Sequence, residues 1–127
     1  MATWQVFVTE LHASSPAIQC SAIVGYPAGE VWARSEMFAA SDQELATLLA
    51  AFDDPASVLE NGAELEGVHY IILRVDPECI YGKKDSARFF AAKTNEAVVI
   101  ASYEDDEFSS ARSAIDEVVE KLRKQGY

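Results

Sequence analysis

The chain has 127 residues, half of them hydrophobic and 24% charged, enough for one domain with a core and too apolar for a disordered tail. Twenty-one acidic residues against ten Lys plus Arg leave a net charge of -11, which disfavours nucleic acid and loose adsorption to anionic lipid. No apolar run approaches the ~20 residues of a membrane span, and Met1 to Trp4 carry no basic-then-apolar leader.

In chain order, Thr3 to His12 sets Trp4, Phe7, Val8 and Leu11 at helical spacing, with Thr3 as N-cap and Ser14-Ser15-Pro16 as the stop. Ile18 to Tyr26 and Glu30 to Ser35 read as strands joined by Pro27-Ala28-Gly29, a hairpin whose second strand carries Trp32. Ser41-Asp42-Gln43-Glu44 is a capping box opening a helix that buries Leu45, Leu48, Leu49 and Phe52. A second short helix runs from Asp54-Pro55 to Asn61-Gly62.

Val68 to Val75, Glu78 to Tyr81, Ala87 to Lys93 and Ala97 to Tyr103 are β-branched or aromatic runs separated by the short turns Asp76-Pro77, Gly82 to Asp85 and Thr94-Asn95. Such short connections imply an antiparallel meander. Ser109 to Gln125 is an amphipathic helix with the stripe Ala111, Ile115, Val118, Val119 and Leu122. Its acids lie early and its bases late, as the helix dipole favours. With no linker or repeat, residues 1–127 read as one α+β domain, an antiparallel sheet with helices packed on its faces.

Catalytic parts are scarce. His12 and His69 are the only histidines, and neither stands in a catalytic spacing with a Ser, Cys or acid. Gly82-Lys83-Lys84 lacks the first Gly and the final Ser/Thr of a phosphate loop, and Glu104 to Glu107 lack the alternation and Gly of a calcium loop. Cys20 and Cys79 make neither a disulfide framework nor a zinc site and suit a reduced cytosolic setting. No enzyme activity, cofactor or metal is expected.

Six segments, in order, resemble the profilin family: Trp4-Gln5-Val6-Phe7-Val8, Val31-Trp32-Ala33-Arg34-Ser35, Gly62 to Tyr70, Ile80-Tyr81-Gly82-Lys83-Lys84, Lys93-Thr94-Asn95-Glu96-Ala97 and Gln125-Gly126-Tyr127. The resemblance implies a central antiparallel sheet with the N- and C-terminal helices on one face and the short helices on the other. It implies a cytoplasmic, cytoskeletal regulator of actin polymerisation that binds monomeric actin and proline-rich proteins such as formins.

For proline-rich ligands the resemblance points to Trp4, Phe7, Trp32, Lys121, Leu122 and Tyr127. Phe7 stands where the family usually has Tyr, and Lys121 where relatives carry His or an aromatic. A polyproline II segment arrives already ordered, so flat aromatic faces suit it. For actin the resemblance points to Leu59, His69, Arg74, Lys84, Arg88, Thr94, Asn95, Arg112 and Glu117, with Arg74 and Arg88 expected to pair with carboxylates. Asp85 replaces the Gly usual after Gly-Lys-Lys, and the acids Glu104 to Glu107 are expected to weaken actin binding if they border that face. Phosphoinositide headgroups are a further implied ligand, through Lys83, Lys84 and Arg88 and through Lys121, Arg123 and Lys124. The alternative is a divergent module that keeps the proline-rich or phosphoinositide ligand with weak or lost actin binding.

Overall fold

The computed structural model describes residues 4–15, 18–26, 29–36, 38–104 and 108–127, with the side chains of 76 and 108–110 left aside. Its elements are α1 (Trp4–Ser14), β1 (Cys20–Gly25), β2 (Val31–Arg34), α2 (Asp42–Ala50), α3 (Pro55–Asn61), β3 (Ala63–Leu65), β4 (Val68–Asp76), β5 (Cys79–Lys84), β6 (Ala87–Lys93), β7 (Ala97–Glu104) and α4 (Phe108–Lys124). The expected N-cap Thr3, the stop at Pro16, the turn residues Pro27 and Ala28 and the acids Asp105 to Glu107 lie outside the described residues.

All seven strands form one antiparallel sheet in the order β2-β1-β7-β6-β5-β4-β3. The meander from β3 to β7 follows chain order, and the β1–β2 hairpin then docks on β7. The sheet therefore runs from the Trp32 strand at one edge to the β3–β4 hairpin at the other.

Each face carries its own core. On one, Phe7, Val8 and Leu11 of α1 and Ala111, Ala114, Ile115, Val118, Val119 and Leu122 of α4 pack on Ile23, Phe90, Val99 and Ala101. On the other, Leu45, Leu48 and Leu49 of α2 and Val58 of α3 pack on Ala22, Tyr70, Ile80, Phe89 and Ile100. The alternation of strand side chains divides these sets between the faces. The terminal helices thus share one face and the short helices the other, as expected.

Capping fixes α2 as the sequence reading requires. The Glu44 N–H donates to Ser41 Oγ (3.1 Å) and the Ser41 N–H to Glu44 Oε1 (2.9 Å). The same carboxylate accepts from the N–H groups of Glu66 (3.0 Å) and Gly67 (2.9 Å). Burial alone would raise the Glu44 pKa, but the bonds from Ser41, Gly67 and Glu66 outweigh it and hold the carboxyl below its ordinary range.

Most strand ends shift by a residue or two from expectation, and two differences are larger. β3 was not foreseen: its hairpin needs both turn residues at positive φ, Glu66 at 55° and Gly67 at 78°, and Glu is unusual there. Glu44 steadies that turn from outside the hairpin. β5 runs on to Lys84, so the turn begins at Asp85 (φ 54°) and not at Gly82. Gly82 is a mid-strand residue whose missing side chain leaves room for the Phe89 ring.

Candidate functional site

Three aromatic rings from distant parts of the chain converge between the terminal helices. Trp4, at the start of α1, lies 4.6 Å from Trp32 of β2 and 4.5 Å from Tyr127, centroid to centroid. Trp32 and Tyr127 are 6.3 Å apart and nearly perpendicular. All three are partly buried against the helix-face core and partly open to solvent.

The backbone holds Tyr127 in place. Its N–H donates to the Leu122 carbonyl (2.9 Å), and its own carbonyl accepts from the Glu96 N–H (2.8 Å). Chain ends fray unless tied, and these two bonds tie this one. The cluster is a fixed shelf of aromatic faces with exposed edges.

The remaining residues expected in this groove take other places. Phe7 is 5% exposed and Leu122 fully buried, so both support the shelf from beneath and present no face to solvent. Lys121 is half-exposed and donates to Glu10 Oε2 at 2.9 Å, bridging α4 to α1. That bond raises the Lys121 pKa above its ordinary value.

A second surface forms on the helix-bearing side of β4, β5 and β6, where α4 packs on β6 and β7 and stops short of β4. Ile71 (62% exposed) and Leu73 (50%) stand uncovered on β4; Leu59 (50%) is exposed on α3, the helix that packs on the other face. Arg74 and Arg112 line a cleft of about 380 Å³ with Phe90, Lys93, Glu78 and Arg123. Arg112 lies over the Phe90 ring, 4.6 Å from its centroid, and pairs with Asp116 at 3.2 Å. Arg123 pairs with Glu78 at 2.8 Å. Four cations round one cleft make a local basic patch on an otherwise acidic protein.

Lys84, Asn95 and Glu117 are exposed, as the sequence reading requires of contact residues. His69 is exposed but sits apart, in a cleft of about 490 Å³ with Ser41, Glu44, Thr47 and Glu64, 3.9 Å from the Glu64 carboxylate.

Arg88 and Thr94 are not at the surface. Arg88 is 5% exposed, and its guanidinium donates to the Asp85 and Ala87 carbonyls, so it cannot present a fork to a partner's carboxylates. It stands opposite Tyr103 in the β6–β7 pairing. Burial, then the neighbouring Tyr81, push the Tyr103 hydroxyl pKa far up, and Arg88 and Arg112 only partly offset this. Thr94 Oγ1 accepts from the Ala97 N–H (3.1 Å) and closes the β6–β7 turn. Both residues were expected in contact with a ligand because the resemblance placed them there, yet β6 is buried from Arg88 to Ala92 and Thr94 is 4% exposed in the turn that follows.

Ile71 and Leu73 are exposed residues that the sequence reading did not single out: it took Val68 to Val75 only as a strand of the meander, and one side of that strand is open. The structure also divides the expected phosphoinositide cations: Arg88 is buried, Lys121 is bound to Glu10 and Arg123 to Glu78, on separate parts of the molecule.

Comparison with known proteins gives the same outline. A family model described as Profilin matches residues 2–127. The chain is 44% identical to profilin-2 and 40% identical to profilin-1 of Caenorhabditis elegans, each over the full length of both chains. Among solved structures, Acanthamoeba castellanii profilin IB superposes with a TM-score of 0.91 at 32% identity, covering 98% of this chain and all of that one.

Proposed function

The chain belongs to the profilin family, and from that premise we propose that its two surfaces hold two ligands at once, monomeric actin and a proline-rich segment. Members of the family are non-enzymatic, actin-binding regulators of polymerisation. Residues 1–127 then act as one adaptor module working in the cytoplasm and on the cytoskeleton.

The observation that carries the proline-rich half is the convergence of Trp4, Trp32 and Tyr127 from three elements into one open shelf. Edge-to-face rings leave grooves into which pyrrolidine rings stack, at little entropic cost because the ligand is already extended. Phe7 and Leu122 hold the shelf and do not contact the ligand. A mouse profilin IIa of the same fold was solved in complex with a double repeat from the FH1 domain of mDia1. Formins are the partner class this suggests.

The actin half rests on the exposed apolar pair Ile71 and Leu73 of β4 and on the cleft lined by Arg74 and Arg112, with Leu59, Lys84, Asn95 and Glu117 as further exposed contact residues. An apolar centre with a charged rim is the anatomy of a protein interface. LokiProfilin1, again of the same fold, was solved in complex with rabbit actin. Arg88 and Thr94 shape this surface from inside. Phosphoinositides find only the scattered cations described above and are a minor ligand in this reading.

Titration with monomeric actin and with octaproline tests the proposal, each alone and each in the presence of saturating amounts of the other. Binding of both with unchanged affinities supports it. Octaproline binding without actin binding leaves a divergent proline-binding module, and competition between the two would refute separate surfaces.

A further inference from the structure

The rim of the aromatic shelf carries one carboxylate that the proline-rich reading leaves unused. Glu30 precedes β2, and its Oε1 accepts from the Trp32 indole N–H at 3.3 Å. The contact depends on Gly25 across the hairpin, whose N–H donates to the Glu30 carbonyl at 2.8 Å. A Cβ at Gly25 would come within 2.9 Å of Trp32 Nε1 and 3.0 Å of Glu30 Oε1. Both groups therefore lie directly on bare backbone, a close approach that only glycine permits. The hairpin thus sets an exposed carboxylate against the polar edge of one ring of the shelf.

Indole has a single donor, and here it is already engaged. A ligand carbonyl arriving at that edge meets a carboxylate where a free N–H would have welcomed it. A guanidinium or ammonium at the same place would find an acceptor ready. The cations of the neighbouring elements are committed elsewhere: Arg34 to the Phe38 carbonyl, Lys93 above the Tyr26 ring, Lys121 to Glu10. Glu30 makes no ion pair among the described residues and is solvent-exposed. The whole-chain charge of -11 adds a field of the same sign.

We propose that Glu30 is a specificity-determining residue of the groove, selecting proline-rich segments in which an Arg or Lys directly flanks the proline run at the end that meets Trp32. The inference rests on the proline-rich reading of the shelf. An exposed pair of this kind is expected to change affinity by about two- to fivefold.

The test uses the full chain and Glu30→Gln, in which the amide oxygen still accepts from Trp32. Both are titrated with octaproline and with octaproline bearing Arg or Glu at either end, followed by tryptophan fluorescence at low and high salt. The expected result is tighter binding of Arg-flanked octaproline in one orientation and weaker binding of its Glu counterpart. That preference should shrink at high salt and vanish in Glu30→Gln, while plain octaproline binds both proteins alike. Equal affinities for all peptides, or a preference that survives Glu30→Gln, would overturn the role of Glu30 and leave the groove standing. Failure of plain octaproline to bind would overturn the groove itself and this inference with it.

Discussion

Replacing Tyr127 with Ala removes one wall of the aromatic shelf and leaves the rest of the molecule in place. The ring meets Trp4 edge-on at 4.5 Å and 74°, and Trp32 at 6.3 Å and 71°. Each such pair contributes about 0.5–1.5 kcal/mol beyond its buried area, and partial exposure puts both at the low end. The backbone bonds to Leu122 and Glu96 survive an Ala side chain. A stability loss of about 1–2 kcal/mol is therefore expected, read as a lower urea midpoint with an unchanged m-value. The ligand loses more, because a stacking wall at the centre of a small site behaves as a hot spot. About 2 kcal/mol, or roughly thirtyfold in the octaproline Kd, is expected by tryptophan fluorescence. Actin affinity should not move. If the midpoint falls as calculated while octaproline affinity stays within threefold, the ring merely fastens the chain end and the ligand sits elsewhere.

The opposite surface gives a complementary result: Ile71→Asp, at a largely exposed position, should leave the urea midpoint nearly unchanged yet weaken actin binding at least tenfold by titration. Glu44→Gln probes the α2 cap and the β3–β4 turn together, and a loss of about 2 kcal/mol at pH 7 is expected. The Glu44 pKa is lower folded than unfolded, so its contribution is present above about pH 4.3 and lost as pH falls through the folded value. Urea midpoints of parent and variant should accordingly converge as pH falls through the folded value, and a gap that stays constant with pH would refute the assignment. Gly82→Ala sets a methyl against the Phe89 ring in the α2-side core and should cost about 1–3 kcal/mol by thermal or urea melt.

Much of this architecture was legible in the residues because local signals and tertiary demands agree. The Ser41–Glu44 box, the Asp54-Pro55 start and the stripe of α4 each name an element and its buried side, and β6 appears with the expected bounds. What escaped was conformation that a neighbour imposes. Gly82 looks like a turn residue but is a gap for Phe89, and Asp85 accepts positive φ in place of the glycine usual there. β3 depends on a carboxylate 22 residues earlier in the chain. In the sites, Trp4, Trp32 and Tyr127 could be assigned to one groove because the resemblance placed them there. Whether a residue on a covered strand faces solvent depends on the reach of α4. That reach leaves Ile71 and Leu73 open, whereas Arg88 and Thr94, which the resemblance had placed at a contact surface, are buried.

The sheet order keeps the two surfaces of the proposed adaptor apart. β2, bearing Trp32, and β4, bearing Ile71 and Leu73, are separated by β1, β7, β6 and β5. At about 4.8 Å between strands, that is roughly 24 Å, several times the contact distance of any side chain. The helix α4 joins the two ends: Arg112 and Asp116 face the basic cleft, while Leu122 carries the carbonyl that holds Tyr127. Ten residues at 1.5 Å per residue set these about 15 Å apart along the helix axis. The buried stripe of α4 fixes both to one rigid sheet, so neither ligand needs the other to form its site. Sites this far apart without shared partners are expected to be energetically independent. The double variant Tyr127→Ala/Ile71→Asp should then show the octaproline loss of one parent and the actin loss of the other, each within about 0.5 kcal/mol of its single-variant value. A larger discrepancy would mean that α4 transmits strain between the surfaces, and the adaptor would be a coupled switch.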